Sequence, residues 1–211
     1  MKKIVLILTL CFVSCGIPYD GETIITLNLK VVNANNAPLA NEKMYLSTDF
    51  ELDGVDNTTY HKTSSSEGVF NFSMFKPTGG TSIVLEDSPE FLPVRITGIN
   101  KNNFEGLYWD LGTINLLKDY EITTFTVLLN QQTANNTVEK ITVNAIKYES
   151  NYDIATGINP YYGYFQTVYQ LKKNQNFILQ YDLKNTTTQA VQKISIPLSI
   201  GSNESSYTIN Y

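Results

Sequence analysis

Apolar and polar residues alternate with a period of two along most of this chain. Ile25, Leu27, Leu29 and Val31 interleave with Thr26, Asn28 and Lys30, and Phe70, Phe72 and Met74 interleave with Asn71 and Ser73. That spacing puts every second side chain on one face of an extended segment, the signature of a half-buried strand. Further short runs predict strands at 43–46, 82–85, 94–99 and 113–117. After residue 118 the same reading predicts strands at 122–129, 138–148, 161–171, 177–183, 191–200 and 206–211. Polar turns separate them, among them 33–36, 65–68, 149–153 and 172–176. Asn, Gly, Pro and Ser at these positions supply the turn chemistry that strand ends need. Nowhere does a 3.6-residue stripe outlast two turns, so the chain reads as all-β. An antiparallel sandwich is the arrangement that covers a sheet with one apolar face.

Each half carries its own strands and apolar faces, which favours two tandem antiparallel β-sandwich domains at 24–118 and 119–211, the second read as immunoglobulin-like. One larger sandwich completed by extra strands is the alternative.

The first residues follow a different pattern. Lys2-Lys3 precedes an apolar stretch from Ile4 to Val13 that is too short to span a bilayer as a helix. It ends in Phe12-Val13-Ser14-Cys15-Gly16, which resembles the lipobox of bacterial lipoproteins, with Phe12 where leucine is usual. The resemblance implies a lipoprotein signal peptide over 1–14, cleavage before Cys15, and acyl chains such as palmitate on that cysteine. It also implies export to the cell envelope, and Gly16 fits the outer membrane, since an aspartate there retains some lipoproteins in the inner membrane. Cys11 fits less well because bulky Leu10 precedes it, and no cysteine follows Cys15 to form a disulfide. An ordinary secretory signal with incidental cysteines is the plainer alternative. Residues 15–23 read as a tether carrying Asp20 and Glu22.

Charge narrows the partners. Without Lys2 and Lys3, thirteen basic residues face twenty acidic ones. An acidic surface repels nucleic acid and anionic lipid alike, which leaves the acyl chains as the membrane bond. Aromatics at 12% supply ample core material, so this is no disordered tail.

Within the first half, Leu27 to Leu39 resembles the opening of carboxypeptidase regulatory-like domains: a strand, a polar turn at Asn33–Asn36, then Pro38-Leu39. Thr63 to Phe72 is similar to their Gly-x-Phe-x-Phe hairpin, here Gly68-Val69-Phe70-Asn71-Phe72, and Tyr108 to Leu116 to their last strand. Asn28 and Leu29 stand where a glycine is usual, and an acidic insertion fills 49–58. The resemblance implies a seven-strand transthyretin-like sandwich that serves as a non-catalytic accessory module.

Candidate chemistry is thin. Asp49, Glu51 and Asp53, followed by Gly54, keep the first ligand spacings of an EF-hand calcium loop, but Tyr60 stands where the bidentate Glu belongs. A solvated acidic loop is the plainer reading. The run from Asn159 to Tyr169 concentrates aromatics; on a strand, Tyr162 and Tyr164 share one face, and Tyr161, Phe165 and Tyr169 the other. One face is free to meet a glycan or a partner protein if it is exposed; otherwise the rings pack in the core. His61 is the only histidine, which removes histidine-based zinc sites and catalytic relays within one chain. Asp87 and Glu90 are the weakest of candidates for an acid pair. The sequence therefore predicts no enzyme and no cofactor. It predicts a binding or scaffolding lipoprotein with an envelope protein or a glycan as partner, or a carbohydrate-binding surface lipoprotein that uses its tyrosines.

Overall fold

The computed structural model describes residues 19–49, 56–77, 80–85, 88–99, 104–157 and 165–211. Fifteen strands are found among them, and one 3-10 turn at Asp119–Glu121. The all-β reading is correct, and the strands form four sheets stacked in two pairs.

The first pair holds seven strands of the first half. These are β1 (Tyr19–Val32), β2 (Lys43–Asp49), β3 (Asp56–Thr63), β4 (Val69–Pro77), β5 (Thr81–Leu85), β6 (Arg95–Ile99) and β7 (Tyr108–Asn115). One sheet runs β4-β1-β7, with β1 central, antiparallel to β4 and parallel to β7. Facing it, β6-β5-β2-β3 form an antiparallel set. Alternation does the packing: Ile25, Leu27, Leu29, Phe70, Phe72 and Trp109 point inward from the first sheet and are fully buried. Met44, Leu46, Ile83, Leu85 and Ile96 meet them from the second. Each such side chain contributes about 1.5–3 kcal/mol by leaving water.

The turn at Ser65–Gly68 works as the sequence predicts. Gly68 N donates to Ser65 O, and the Ser65 hydroxyl accepts from Glu67 N and Val69 N. Gly68 has φ +72°, and a Cβ there would strike Val31 O, so only glycine fits. At the other turn Asn33 Oδ1 accepts from Asn35 N and Ala37 N, an Asx-type closure.

The second pair holds β8 (Ile122–Asn130), β9 (Asn136–Asn144), β10 (Lys147–Tyr148), β12 (Val168–Lys172), β13 (Gln175–Asn185), β14 (Val191–Ile200) and β15 (Ser205–Asn210). Its sheets are β10-β12-β8-β15 and β14-β13-β9. Phe125, Val127, Tyr169 and Leu171 pack against Ile141, Val143, Phe177 and Leu179. Phe125 and Phe177 meet edge to face at 4.9 Å. Pro197 sits on β14, an edge strand, where its missing N–H leaves no ladder bond unmade.

Five local expectations are corrected. The tether expected over 15–23 is strand from Tyr19 onward, so β1 takes in Asp20 and Glu22 and starts five residues ahead of Ile24. The chain makes strand β3 where the sequence suggested the end of an acidic insertion. The predicted strand 138–148 is broken at Ala145 and Ile146, where the Gln175 amide accepts from Ile146 N and donates to Ile146 O. Of the strand predicted over 161–171, residues 161–164 lie outside the described residues, 165–167 are not strand, and β12 begins at Val168. Most consequentially, the expected turn at 149–153 contains β11 (Asn151–Asp153), which leaves the second unit and adds itself, parallel, to the edge of β6 in the first.

Candidate functional site

Two features of the fold offer surfaces for function. The first is the outer face of sheet β4-β1-β7. Because Ile25, Met74 and Trp109 point inward, their neighbours Ile24, Phe75 and Tyr108 point outward. Ile24 and Phe75 are cross-strand partners. Tyr108 pairs with Thr26, two residues along β1, and Leu107 accepts the Thr26 N–H through its carbonyl. Ile24, Phe75 and Tyr108 are between 42% and 61% exposed, and Leu107, just before β7, is 62% exposed. Exposed apolar neighbours such as Ile24 and Phe75 offer a surface for contact, since scattered single hydrophobes are ordinary but adjoining ones are not.

The second feature is a cleft of about 200 Å³ between the two units. Val94, Ile114, Ala145 and Ile146 form its apolar walls, with Asn115, Tyr148, Glu149 and Tyr152 as polar lining. The β11 crossing builds it. Arg95 N donates to Ser150 O and Ile154 N to Thr97 O, tying the segment after Glu149 to β6. Tyr148 donates its hydroxyl to Pro93 O at 2.9 Å. At the linker, Leu92 N donates to Leu117 O, and Lys118 meets Glu90 at 2.6 Å while lying over the Phe91 ring. Lys172 Nζ reaches Asn35 Oδ1 at 3.3 Å.

Glu149 is the unusual residue of the cleft. Its side chain is 6% exposed, and Lys147 Nζ lies 2.6 Å from Oε1. Neither carboxylate oxygen nevertheless receives a well-directed hydrogen bond. Lys147 pairs with the carboxylate at close range, and both of its oxygens are shut off from solvent. Its charge is felt on both sides. Burial, then Glu149, raises the Tyr152 phenol above its ordinary value, and Asp153 adds to this. Burial, then Glu149, raises Tyr169 in the second core. Burial alone raises Tyr148.

The residues singled out from the sequence fare unevenly. Cys15, Glu51, Asp53, Tyr161, Tyr162 and Tyr164 lie outside the described residues, as does Asp87. Asp49 ends β2 opposite Asp56. Among the described residues no group of three or more His, Cys, Asp or Glu is placed to hold a metal. Phe165 is 46% exposed. Tyr169 is corrected: it is 3% exposed and its hydroxyl donates to Gln166 O at 2.6 Å, so it is no part of a surface. With β12 starting at Val168, which faces out, the alternation turns Tyr169 inward. Sequence reasoning missed Glu149, which reads there as a lone acid in a polar turn. It also missed the patch, although the outward positions Ile24, Phe75 and Tyr108 follow from the same alternation that marks the core.

Compared with known proteins, the chain matches no family model and no curated protein. Among solved structures it is similar to a streptococcal ancillary pilin, at 11% identity over 90% of this chain and 62% of that one, with a TM-score of 0.35. A DUF3823 family protein from Parabacteroides merdae matches at 9% identity over 85% of this chain and 83% of that one, TM-score 0.30. A 3-chlorocatechol 1,2-dioxygenase from Rhodococcus opacus matches at 9% identity over 46% of this chain, TM-score 0.35. This chain spans 60% of the dioxygenase. Likenesses at these scores carry no family or activity to this chain.

Proposed function

We propose that this chain is a non-catalytic lipoprotein of the cell envelope, anchored through acyl chains on Cys15 at the outer membrane, that works as a binding or scaffolding module for another envelope protein. The outward-facing Ile24, Phe75 and Tyr108 carry this reading. Ile24 follows Cys15 by nine residues, so an anchored chain carries the patch near the membrane, where an envelope partner is met. Seven strands in the first unit support the resemblance to carboxypeptidase regulatory-like accessory modules. The lone histidine supports a non-catalytic role, since acid–base and metal chemistry would have to be built from carboxylates alone.

The test combines intact mass with site-specific crosslinking in membranes. Purified protein has a mass beginning at Cys15 with added acyl chains, and Cys15→Ala loses them and leaves the membrane fraction. A photo-crosslinker at position 108 captures one defined envelope protein, while the same group at exposed position 128 in the second unit does not. An unacylated product cut elsewhere defeats the anchor. Equal capture from both positions defeats the patch.

A further inference from the structure

We infer that the open edge of β4 pairs with the same edge of a second copy of this chain, so that two first units share one continuous sheet. The case starts from which backbone groups β4 has already paired. Val31 N donates to Gly68 O, and the register of β1 on β4 continues that pairing through Leu29–Phe70, Leu27–Phe72 and Ile25–Met74. Successive residues of an antiparallel strand turn their N–H and C=O groups to opposite sides, so Phe70, Phe72 and Met74 direct theirs to β1. Val69, Asn71, Ser73 and Phe75 direct theirs to the open edge. The turn at Ser65 takes Val69: its N–H donates to Ser65 Oγ, and its C=O accepts from Ser65 N. At the far end Pro77 brings no N–H. The open run is therefore Asn71, Ser73 and Phe75, whose side chains are also exposed.

Other long edges are guarded in ways that natural sheets use against strand addition. β14 carries Pro197 mid-strand, β7 bulges at Leu111-Gly112, and the register of β3 on β2 skips Thr59. From Val69 to Phe75, β4 has no proline, no bulge and no charge. The open run is centred on Ser73, and this selects the occupant. A second copy related by a two-fold axis through Ser73 meets it antiparallel, with Asn71 opposite the partner's Phe75 and Ser73 opposite the partner's Ser73. Every open N–H then finds an open C=O, and both runs stop at the same places. Charge agrees. Twenty acidic residues against fifteen basic ones give the copies a like net charge, yet no Asp or Glu lies between Val69 and Pro77. Lys76, the one charge on the strand, lies opposite the partner's Phe70 rather than another lysine. The axis stands perpendicular to the joined sheet, so both copies turn Ile24, Phe75 and Tyr108 to the same side. The dimer is thus continuous with the surface proposed to meet an envelope protein and presents it twice, but it stands without that reading.

The experiment places single cysteines in the full-length chain and treats the expressing cells with a thiol oxidant, reading dimer on a non-reducing gel. The unsubstituted chain controls for Cys11 and Cys15. Opposed Cα atoms in a hydrogen-bonded pair lie about 5.5 Å apart, within the roughly 4.4–6.8 Å that a disulfide spans. Ser73→Cys therefore gives a disulfide dimer, whereas Leu128→Cys, exposed on the second unit, gives none. Asn71→Cys gives little alone and far more when Phe75→Cys is added to the same chain. Asn71→Pro combined with Ser73→Cys lowers the dimer about tenfold or more, because the N–H it removes faces the open edge. The same position leaves the β1–β4 ladder whole, so buried Trp109 keeps its fluorescence. A Ser73→Cys chain that stays monomeric overturns the inference, as does dimer from Leu128→Cys in equal yield. A disulfide from Ser73→Cys to a different protein overturns it too, since the edge then takes that protein's strand. Failure of the disulfide leaves capture at position 108 unaltered, and absence of that capture leaves the disulfide unaltered, so the two readings fail separately.

Discussion

Tyr169 lies in the second core with its hydroxyl held by Gln166 O, and its titration carries a consequence for stability. Burial first, and then the Glu149 charge, raise its phenol above the ordinary value near 10. The folded chain therefore keeps the proton after the unfolded chain has released it. This stability is fully present below about pH 10 and is lost as pH rises toward the raised folded value, by about 1.4 kcal/mol per pH unit. Urea unfolding from about pH 9 to 11 should show a steep loss that Tyr169→Phe reduces by that amount. An unchanged slope in the variant means that other groups set the alkaline limit. From the sequence Tyr169 was indistinguishable from its aromatic neighbours, because its fate depends on where β12 begins. That is set by the pairing of Val168 with Thr126 and Tyr169 with Phe125. Glu149 was invisible for a related reason: nothing local distinguishes an acid that tertiary pairing buries from one that water solvates.

At the scale of elements, strands with alternating apolar faces were legible, since their pattern is itself the cause of their burial. β4, β8, β13 and β14 lie close to where alternation and apolar runs put them, and β1 does so from Ile24 onward, its first five residues falling in the expected tether. β3 and β11 were not legible. In Asp56–Thr63 the sequence offers no apolar alternation, only Tyr60, and the strand is held at a sheet edge by backbone bonds to β2. Asn151–Asp153 is three residues long and polar, so only its neighbour β6 makes it a strand. Gly98 is what lets it approach. Gly98 has φ +78°, and a Cβ there would collide with Asp153 Oδ1, which accepts from Ala155 N at 2.9 Å and Thr156 N at 3.1 Å. Gly98→Ala should cost about 1–3 kcal/mol through strain and displacement of β11. It should also speed amide exchange at Arg95 and Ile154 while sparing Leu179 in β13. Exchange that changes equally across both units would count against a local role for this contact.

Across the whole molecule, the crossing makes the two units interdependent. The chain enters the second unit at β8, returns to the first for β11, and goes back for β12. To separate the units it must strip β11 from β6, break the Tyr148–Pro93 bond and open the linker contacts at Leu92 and Lys118. The sequence, read as two tandem domains, gave no hint of this return.

The most direct measurement is equilibrium unfolding in urea followed by two probes at once. Trp109 is the only tryptophan and is buried in the first unit, so its fluorescence reports that unit alone, while far-ultraviolet circular dichroism reports all the strands. Interlocked units unfold together, and the two curves coincide at one midpoint. Two midpoints, with Trp109 moving at only one of them, would contradict the account: the units would then be beads on a string, and the β11 crossing too weak to join them.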